Sequence, residues 1–177
     1  MEKLRMLSLF SGIGAFEKAL NNIGVDYELV NYCEIDKFAS KSYSIIHNVS
    51  EELNLKDITK INIFDLPKNI DIITHGSPCQ SFSSVGAQDG ADEGSGTKSS
   101  LMWNSVEIIK HCKPKYVIWE NVRNVLHKKH IHNFQKYIDV LEEIGYTSYY
   151  KVLNAIDYGI PQNRRRIYCI SVLGKHK

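Results

Sequence analysis

The feature that most constrains the fold is a regular alternation of short apolar runs with segments of helical periodicity. Met6 to Phe10 and Tyr27 to Cys33 have the length and composition of strands, and each is followed by a helical pattern. Asn69 to His75 contains the nearly continuous apolar stretch Ile70-Asp71-Ile72-Ile73, which is typical of a strand covered on two faces. Strands alternating with helices predict an α/β fold with a mostly parallel central sheet, helices on both faces, and ligands at the carboxyl ends of the strands.

The other segments continue this pattern. We expect a weaker third strand near Leu55 to Ile61, and helices over residues 101–111 and 131–144. Further strands are predicted over Tyr116 to Trp119, Tyr146 to Asn154 and Arg166 to Val172. The apolar faces expected on the first two helices comprise Phe16, Ala19, Leu20 and Ile23, and Phe38, Tyr43 and Ile46. With 177 residues, 43% of them apolar, the chain is expected to form one domain over residues 1–177.

Composition argues against several classes of protein. No apolar run approaches the ~18 residues of a membrane span, and the first residues lack a signal-peptide pattern, so a cytoplasmic protein without membrane association is expected. The four cysteines form no C-x-x-C pair and have no His at ligand spacing, so neither disulfides nor a metal site is predicted.

Charge is distributed unevenly along the chain. Residues 1–109 contain 9 basic and 15 acidic residues, whereas residues 110–177 contain 13 basic and 5 acidic residues. The basic half suits a polyanion such as nucleic acid, and a solvated charged surface is the alternative explanation.

The loop after the first strand favours a nucleoside ligand. Gly12 and Gly14 permit close backbone approach at a helix start, and Glu34 ends the second strand, where a carboxylate can accept both ribose hydroxyls. Glu17 stands where a dinucleotide fingerprint needs its third glycine, which favours a nucleoside without phosphates. Asp57 is placed to accept from an adenine amino group. The alternative is that the glycines only form turns and Glu34 only caps a strand.

Cys79 is the candidate nucleophile, because it lies between a buried strand and a Gly- and Ser-rich loop of about residues 81–100. The other three cysteines lie in or beside apolar segments and are expected to be inert packing. A purely structural role for Cys79 stays open. The loop is expected to be mobile and to act as a lid.

Glu120 ends the next buried strand, so in a parallel sheet it shares an edge with Cys79 and can act as an acid beside it. Strand alternation places Arg164 and Arg166 on one side of the last strand and Arg165 on the other. The two guanidiniums can fix a carbonyl, a phosphate or the Glu120 carboxylate. A solvated basic turn is the alternative.

Five motifs follow one another along the chain: Phe10-Ser11-Gly12-Ile13-Gly14, Glu34-Ile35-Asp36, Gly76-Ser77-Pro78-Cys79-Gln80-Ser81-Phe82-Ser83, Trp119-Glu120-Asn121-Val122 and Gln162-Asn163-Arg164-Arg165-Arg166-Ile167-Tyr168. Together they resemble the C5-cytosine DNA methyltransferase family, and the pairing of Pro-Cys-Gln with Glu-Asn-Val is highly specific. The resemblance covers nearly the whole chain. It implies a Rossmann-like methyltransferase fold and methyl transfer from S-adenosylmethionine to C5 of cytosine in double-stranded DNA.

The resemblance also implies residue roles. Cys79 would add to cytosine C6, and Glu120 would hydrogen-bond or protonate N3. Arg166 would hold the O2 carbonyl while Arg164 orients Glu120, and the remaining substrate contacts would be Gln80, Ser83 and Asn121. The cytosine would be flipped out of the duplex, and the loop of about residues 81–100 would close over it.

For the cofactor, the resemblance assigns Phe10 to stacking, Gly12 and Gly14 to backbone contact, and Glu34 to the ribose. Ile35 would cover the adenine face and Asp57 would accept from the adenine amino group. Pro78 and Leu101 would complete the wall.

Family members continue beyond the arginine motif into a target-recognition region and a last segment that returns to the cofactor pocket, and neither is found in this sequence. The resemblance therefore favours a catalytic subunit that needs a second polypeptide, in a restriction–modification system. Two alternatives stay open: a truncated inactive protein that binds DNA or cofactor, and a transfer RNA cytosine-5 methyltransferase. An exposed apolar patch at the carboxyl edge of the sheet would indicate the split enzyme.

Overall fold

The computed structural model describes residues 3–78 and 98–174. Within these ranges one sheet contains six strands: β1 (Leu4–Leu9), β2 (Tyr27–Cys33), β3 (Ile72–His75), β4 (Tyr116–Val122), β5 (Tyr146–Asn154) and β6 (Arg165–Leu173). The helices are α1 (Ala15–Asn22), α2 (Lys37–His47), α3 (Met102–Cys112) and α4 (Ile131–Glu143). The predicted residues Cys79, Gln80 and Ser83, and nearly all of the predicted lid, lie outside the described residues.

The strand order is β2-β1-β3-β4-β6-β5. The β1–β2, β1–β3 and β3–β4 pairs are parallel, whereas β6 is antiparallel to both β4 and β5. The prediction of a mostly parallel sheet is confirmed. Because β1 to β4 run in one direction, their carboxyl ends form one edge, and β6 enters the sheet at that edge.

Helices cover both faces of the sheet, as predicted. On one face, Tyr32 of β2 stacks on Tyr43 of α2, with ring centroids 4.1 Å apart. On the other, Trp119 of β4 stacks on the phenylalanine ring of α4 at 5.6 Å, within the main apolar core. The strand register places Tyr32 level with Ser8 of β1, and Trp119 level with Leu9 of β1. Because adjacent residues of a strand point to opposite sides of the sheet, Tyr32 and Trp119 lie on opposite faces.

The predicted third strand at Leu55 to Ile61 is wrong. Asn54, directly before this segment, makes an isolated parallel bridge with Tyr32, and the chain then turns away from the sheet. Lys56 has a positive φ of 63°, and Asp57 caps a short 3-10 turn by accepting from the backbone N–H of Thr59 at 3.0 Å. This local capping competes successfully with strand pairing.

The predicted apolar faces of the first two helices are also wrong in part. In α2, Tyr43 is buried, but Phe38 and Ile46 are 72% and 54% exposed, together with Ile45 at 68%. In α1 the buried side chain is Glu17, whose carboxylate accepts from the Tyr43 hydroxyl at 2.8 Å. The helices thus meet through a polar contact. Phe38, Ile45 and Ile46 form what we term the outer face of α2.

Candidate active site

A cavity of about 360 Å³ opens at the carboxyl edge of the sheet beside β1 and β2. The chain ends of several elements meet here, as a parallel sheet requires. Six of the residues predicted to bind the cofactor line it: Phe10, Glu34, Ile35, Asp57, Pro78 and Leu101. The structure therefore brings together side chains that are far apart in the sequence.

The Glu34 carboxylate is held in place by backbone amides. The N–H of Gly12 donates to Oε2 at 2.8 Å, and the N–H of Asp36 donates to Oε1 at 2.8 Å. Each oxygen keeps a second lone pair, so the carboxylate can still accept from hydroxyl groups. Phe10 has a positive φ of 53°, which is strained for an aromatic residue and turns the chain into the cavity wall.

The structure gives Gly14 a role in addition to the predicted backbone contact with the cofactor. It is the N-cap of α1 with φ 87°, and a Cβ at this position would overlap the imidazole of His47 in α2. His47 Nε2 lies 3.0 Å from the carbonyl oxygen of Ile13. The glycine allows α2 to hold the loop between β1 and α1. Direct contact of Gly14 with the cofactor stays a prediction.

We expect Gly14→Ala to lower the free energy of unfolding by about 2–4 kcal/mol, because the added methyl adds a steric overlap to an unfavourable φ. Urea unfolding followed by circular dichroism measures this change. Gly24→Ala is the matched control, since Gly24 also has a positive φ, of 72°, but open space where an alanine methyl would lie. Equal losses from both substitutions would show that the His47 contact is unimportant.

Sequence reasoning missed three residues of the cavity wall: Cys33, Lys56 and Ile58. The Cys33 thiol donates to the Lys56 carbonyl oxygen at 3.1 Å, and burial raises its pKa to about 12. Its position as the last residue of β2, next to Glu34, was the available signal. Burial also raises the pKa of Cys112 and Cys169 to about 11, so the predicted inertness of these three thiols is consistent with the structure.

Glu120 forms an ion pair with Arg166 at the same edge of the sheet. Glu120 Oε1 lies 3.0 Å from Arg166 Nε, and their side chains are 24% and 22% exposed. Burial raises the pKa of Glu120, and the attraction of Arg166 and Arg164 offsets this only in part. A carboxyl with a raised pKa keeps its proton to higher pH, which suits a hydrogen-bond donor or general acid.

The contact with Glu120 that was predicted for Arg164 is made by Arg166. Arg164 is exposed, and within the described ranges it makes no ion pair with Glu120. The prediction that Arg164 and Arg166 lie on one side of the last strand is supported, because both side chains line a cleft of about 290 Å³. Tyr158 and Tyr168 line the same cleft, and Tyr168 is level with Glu120 in the β4–β6 register. Contact of Arg166 with a cytosine O2 carbonyl stays a prediction.

The residues on either side of Glu120 hold the segment that leads to Cys79. The indole N–H of Trp119 donates to Ser77 Oγ at 3.1 Å, and the Asn121 amide donates to the Ser77 carbonyl oxygen at 3.3 Å. Asn121 is 2% exposed, and its Oδ1 accepts from the N–H of Val122. The described contacts thus give Asn121 a positioning role, and the substrate contact predicted for it stays a prediction.

Other kinds of site find no support in the described parts of the chain. No group of three His, Cys, Asp or Glu side chains there is arranged to hold a metal ion. None of the described helices has the length and hydropathy needed to cross a membrane.

Comparison with curated proteins finds close relatives among methyltransferases. The chain is 45% identical over 172 residues to the orphan methyltransferase M.SPRI of Bacillus phage SPR, covering 97% of this chain and 38% of that protein. It is 38% identical over 167 residues to the type II methyltransferase M.HhaI of Haemophilus parahaemolyticus, covering 94% and 48%. The type II methyltransferase M2.ScrFI of Lactococcus lactis is 36% identical over 224 residues, covering 98% and 62%. The chain therefore spans less than two thirds of the length of these relatives.

Solved structures share the fold. The chain superposes on the S. pombe Dnmt2 methyltransferase with a TM-score of 0.78 and 24% identity, covering 99% of this chain and 51% of that one. A putative DNA modification methyltransferase from an E. coli prophage gives a TM-score of 0.75 and 25% identity, covering 97% and 47%. These likenesses confirm the predicted Rossmann-like methyltransferase fold. The sequence profile of the C-5 cytosine-specific DNA methylases matches residues 4–177, and the chain belongs to that family.

Proposed function

We propose that this chain is the catalytic part of a DNA (cytosine-5) methyltransferase that uses S-adenosylmethionine. The observation that carries this proposal is that one short segment joins two sites. Pro78 lines the cofactor cavity, and Ser77 is bonded to the strand that presents Glu120. Cys79 follows Pro78 directly in the sequence. A nucleophile at this position would lie between a methyl donor and an acid.

The cavity suits S-adenosylmethionine. Its volume of about 360 Å³ falls within the roughly 300–1,000 Å³ of small-molecule sites. Phe10, Ile35 and Leu101 supply apolar surface for an adenine ring, while Glu34 and Asp57 supply acceptors for hydroxyl and amino groups. When bound, the cofactor supplies an electrophilic methyl group on a sulfonium.

In the proposed mechanism, the Cys79 thiolate adds to C6 of a flipped cytosine, and Glu120 donates a proton or hydrogen bond to N3. The electrons gained by the ring make C5 nucleophilic, so it could take the methyl group while the carbon–sulfur bond to the sulfonium breaks and its electron pair stays on sulfur. Loss of the C5 proton to a base, return of any N3 proton to Glu120 and departure of the thiolate restore the aromatic ring. Arg166, which pairs with Glu120, holds the acid in place and provides positive charge near the base.

We also propose that further polypeptide covers the outer face of α2. Polar Ser40 and Ser44 face inward on this helix, whereas Phe38, Ile45 and Ile46 face outward and are exposed. Several exposed apolar side chains on one helix favour an interaction site there. The relatives contain a region that this chain does not span, and a second polypeptide carrying that region is the occupant that we propose.

The substitutions Phe38→Ser and Ile46→Ser, made together, are expected to weaken binding of that second polypeptide at least about tenfold, because two apolar side chains no longer pack in the interface. Co-purification and titration calorimetry with the corresponding region of M.SPRI would measure the change. Ile23→Ser is the control, as an apolar residue 72% exposed outside this face. Unchanged binding by the double variant would contradict the proposed interface.

The function itself is tested by calorimetric titration of the purified chain with S-adenosylmethionine and by transfer of tritiated methyl groups to cytosine-containing duplex DNA. Transfer that appears only with the second polypeptide would support a split enzyme. Cofactor binding without transfer under any condition would favour an inactive binding module. Transfer to transfer RNA but not DNA would favour the RNA branch. The type II names of M.HhaI and M2.ScrFI support a restriction–modification role, and a cytoplasmic location stays a prediction.

A further inference from the structure

A strongly basic segment follows the strand that carries Glu120. Between Glu120 and Asp139 the sequence contains no acidic residue, and it contains the basic or histidine residues Arg123, His127, Lys128, Lys129, His130, His132 and Lys136. This segment forms the 3-10 turn Arg123–Leu126, a short connection and the beginning of α4. It therefore starts at the carboxyl edge of β4.

Three exposed cations of this segment are available for a partner. Arg123, Lys128 and Lys129 are exposed, and none of them forms an ion pair with another residue in the parts of the chain that the structure describes. Arg123 and Lys128 also line a shallow cleft of about 610 Å³. The sequence between Glu120 and Asp139 supplies no carboxylate to pair with them.

The sheet brings a second basic segment beside the first. Val122 is paired with Arg166 in the antiparallel register of β4 and β6, so Arg123 leaves the sheet where Arg165 enters it. Arg165 is exposed. Positive charge therefore surrounds the edge where Glu120 lies, on two separate elements.

This arrangement opposes local stability. Lys128 and Lys129 directly precede the first turn of α4, where the helix dipole disfavours positive charge. Positive charges that disfavour the start of a helix, with no compensating ion pair, indicate a functional constraint on those residues.

We propose that Arg123, Lys128, Lys129 and Arg165, which we term the basic rim, bind backbone phosphates of the DNA duplex beside the flipped cytosine. The inference rests on the proposed function, because it takes the Glu120 edge as the place where the base enters. Lysine and arginine side chains bind phosphates through charge and hydrogen bonds, without reading sequence. The rim would thus hold the duplex while another region selects the target.

The test is the triple variant Arg123→Gln, Lys128→Gln and Lys129→Gln. Its affinity for a 20-base-pair duplex, measured by fluorescence anisotropy across a range of salt concentrations, is expected to fall at least about tenfold at low salt. The slope of log affinity against log salt should decrease by roughly 0.9 for each phosphate that is no longer neutralised. The affinity for S-adenosylmethionine should not change, and the melting temperature should be unchanged or higher, because the substitutions remove unfavourable charges from the start of α4.

The matched control is Lys3→Gln, Lys18→Gln and Lys115→Gln, which removes the same charge from exposed positions outside the rim. An equal loss of affinity in the control would show a net-charge effect and overturn the proposal, as would an unchanged salt slope in the triple variant or no duplex binding by the wild-type chain. Tighter binding of RNA of equal length would overturn the choice of DNA. The binding assay requires no methyl transfer. If the wild-type chain transferred no methyl group but the triple variant still bound DNA more weakly than the wild type, the proposed reaction would be refuted and the proposed role of the basic rim would stand.

Discussion

Cys79→Ser is expected to abolish methyl transfer while S-adenosylmethionine binds within about twofold of the wild-type affinity. A serine hydroxyl is a far weaker nucleophile than a thiolate, so addition to cytosine C6 would fail. The described wall of the cofactor cavity is formed by other residues, which the substitution leaves in place. Tritiated methyl transfer to DNA and calorimetric titration with the cofactor measure the two quantities separately.

The other cysteines provide an internal control for this prediction. Cys33, Cys112 and Cys169 are buried, with raised pKa values, so iodoacetamide near neutral pH is expected to modify Cys79 in preference to all three. Mass spectrometry of the modified protein identifies the site. Loss of cofactor binding in Cys79→Ser would instead indicate a packing role for this cysteine.

The parts of the fold that could be predicted are those whose pattern is long and local. The apolar run at Tyr27 to Cys33 and the periodicity of residues 131–144 correspond to β2 and α4 nearly residue for residue. The strand predicted near Leu55 is wrong because Lys56 and Asp57, which separate Leu55 from Ile58, form a turn through the positive φ of Lys56 and the capping by Asp57. An apolar pattern along a helix does not show which of its side chains pack inward, so the face predicted for α2 is right for Tyr43 and wrong for Phe38 and Ile46.

The candidate site was predictable because strand ends meet at one edge of a parallel sheet. That rule predicts that Glu120 shares an edge with Cys79 and that Glu34, at the end of the second strand, lies where ligands bind. It could not show that Arg166, and not Arg164, pairs with Glu120, since both lie on one side of the same segment. Nor could it find the bonds from Trp119 and Asn121 to Ser77, which depend on the β3–β4 register.

Glu120→Gln is expected to lower the rate of methyl transfer about 10²–10⁴-fold with little change in the affinity for DNA or cofactor. Glutamine keeps the shape of the side chain but cannot donate a proton to N3. Single-turnover transfer with saturating DNA measures the chemical step, and anisotropy measures DNA binding. Glu28→Gln is the control, since it also breaks an ion pair with an arginine, Arg5, at a site remote from the cavity wall.

The pH dependence gives an independent test of the same carboxyl group. Because burial raises the pKa of Glu120 in the folded state, the protonated form persists above the pKa of an ordinary glutamate and disappears as pH rises through the raised value. The chemical step should slow over that window in the wild type, and this decline should be absent in Glu120→Gln.

The free energy of unfolding should also decrease as pH rises through the raised pKa of Glu120. A group whose pKa is raised on folding contributes fully to the free energy of unfolding below its unfolded pKa, and that contribution is lost as pH rises through the folded pKa. Urea unfolding of the wild type and Glu120→Gln across this range is therefore expected to show a pH-dependent difference in the free energy of unfolding. If Glu120→Gln instead reduced DNA binding and the chemical step by the same factor, the Glu120–Arg166 pair would be a structural element of the edge, and the acid in the reaction would have to be another group.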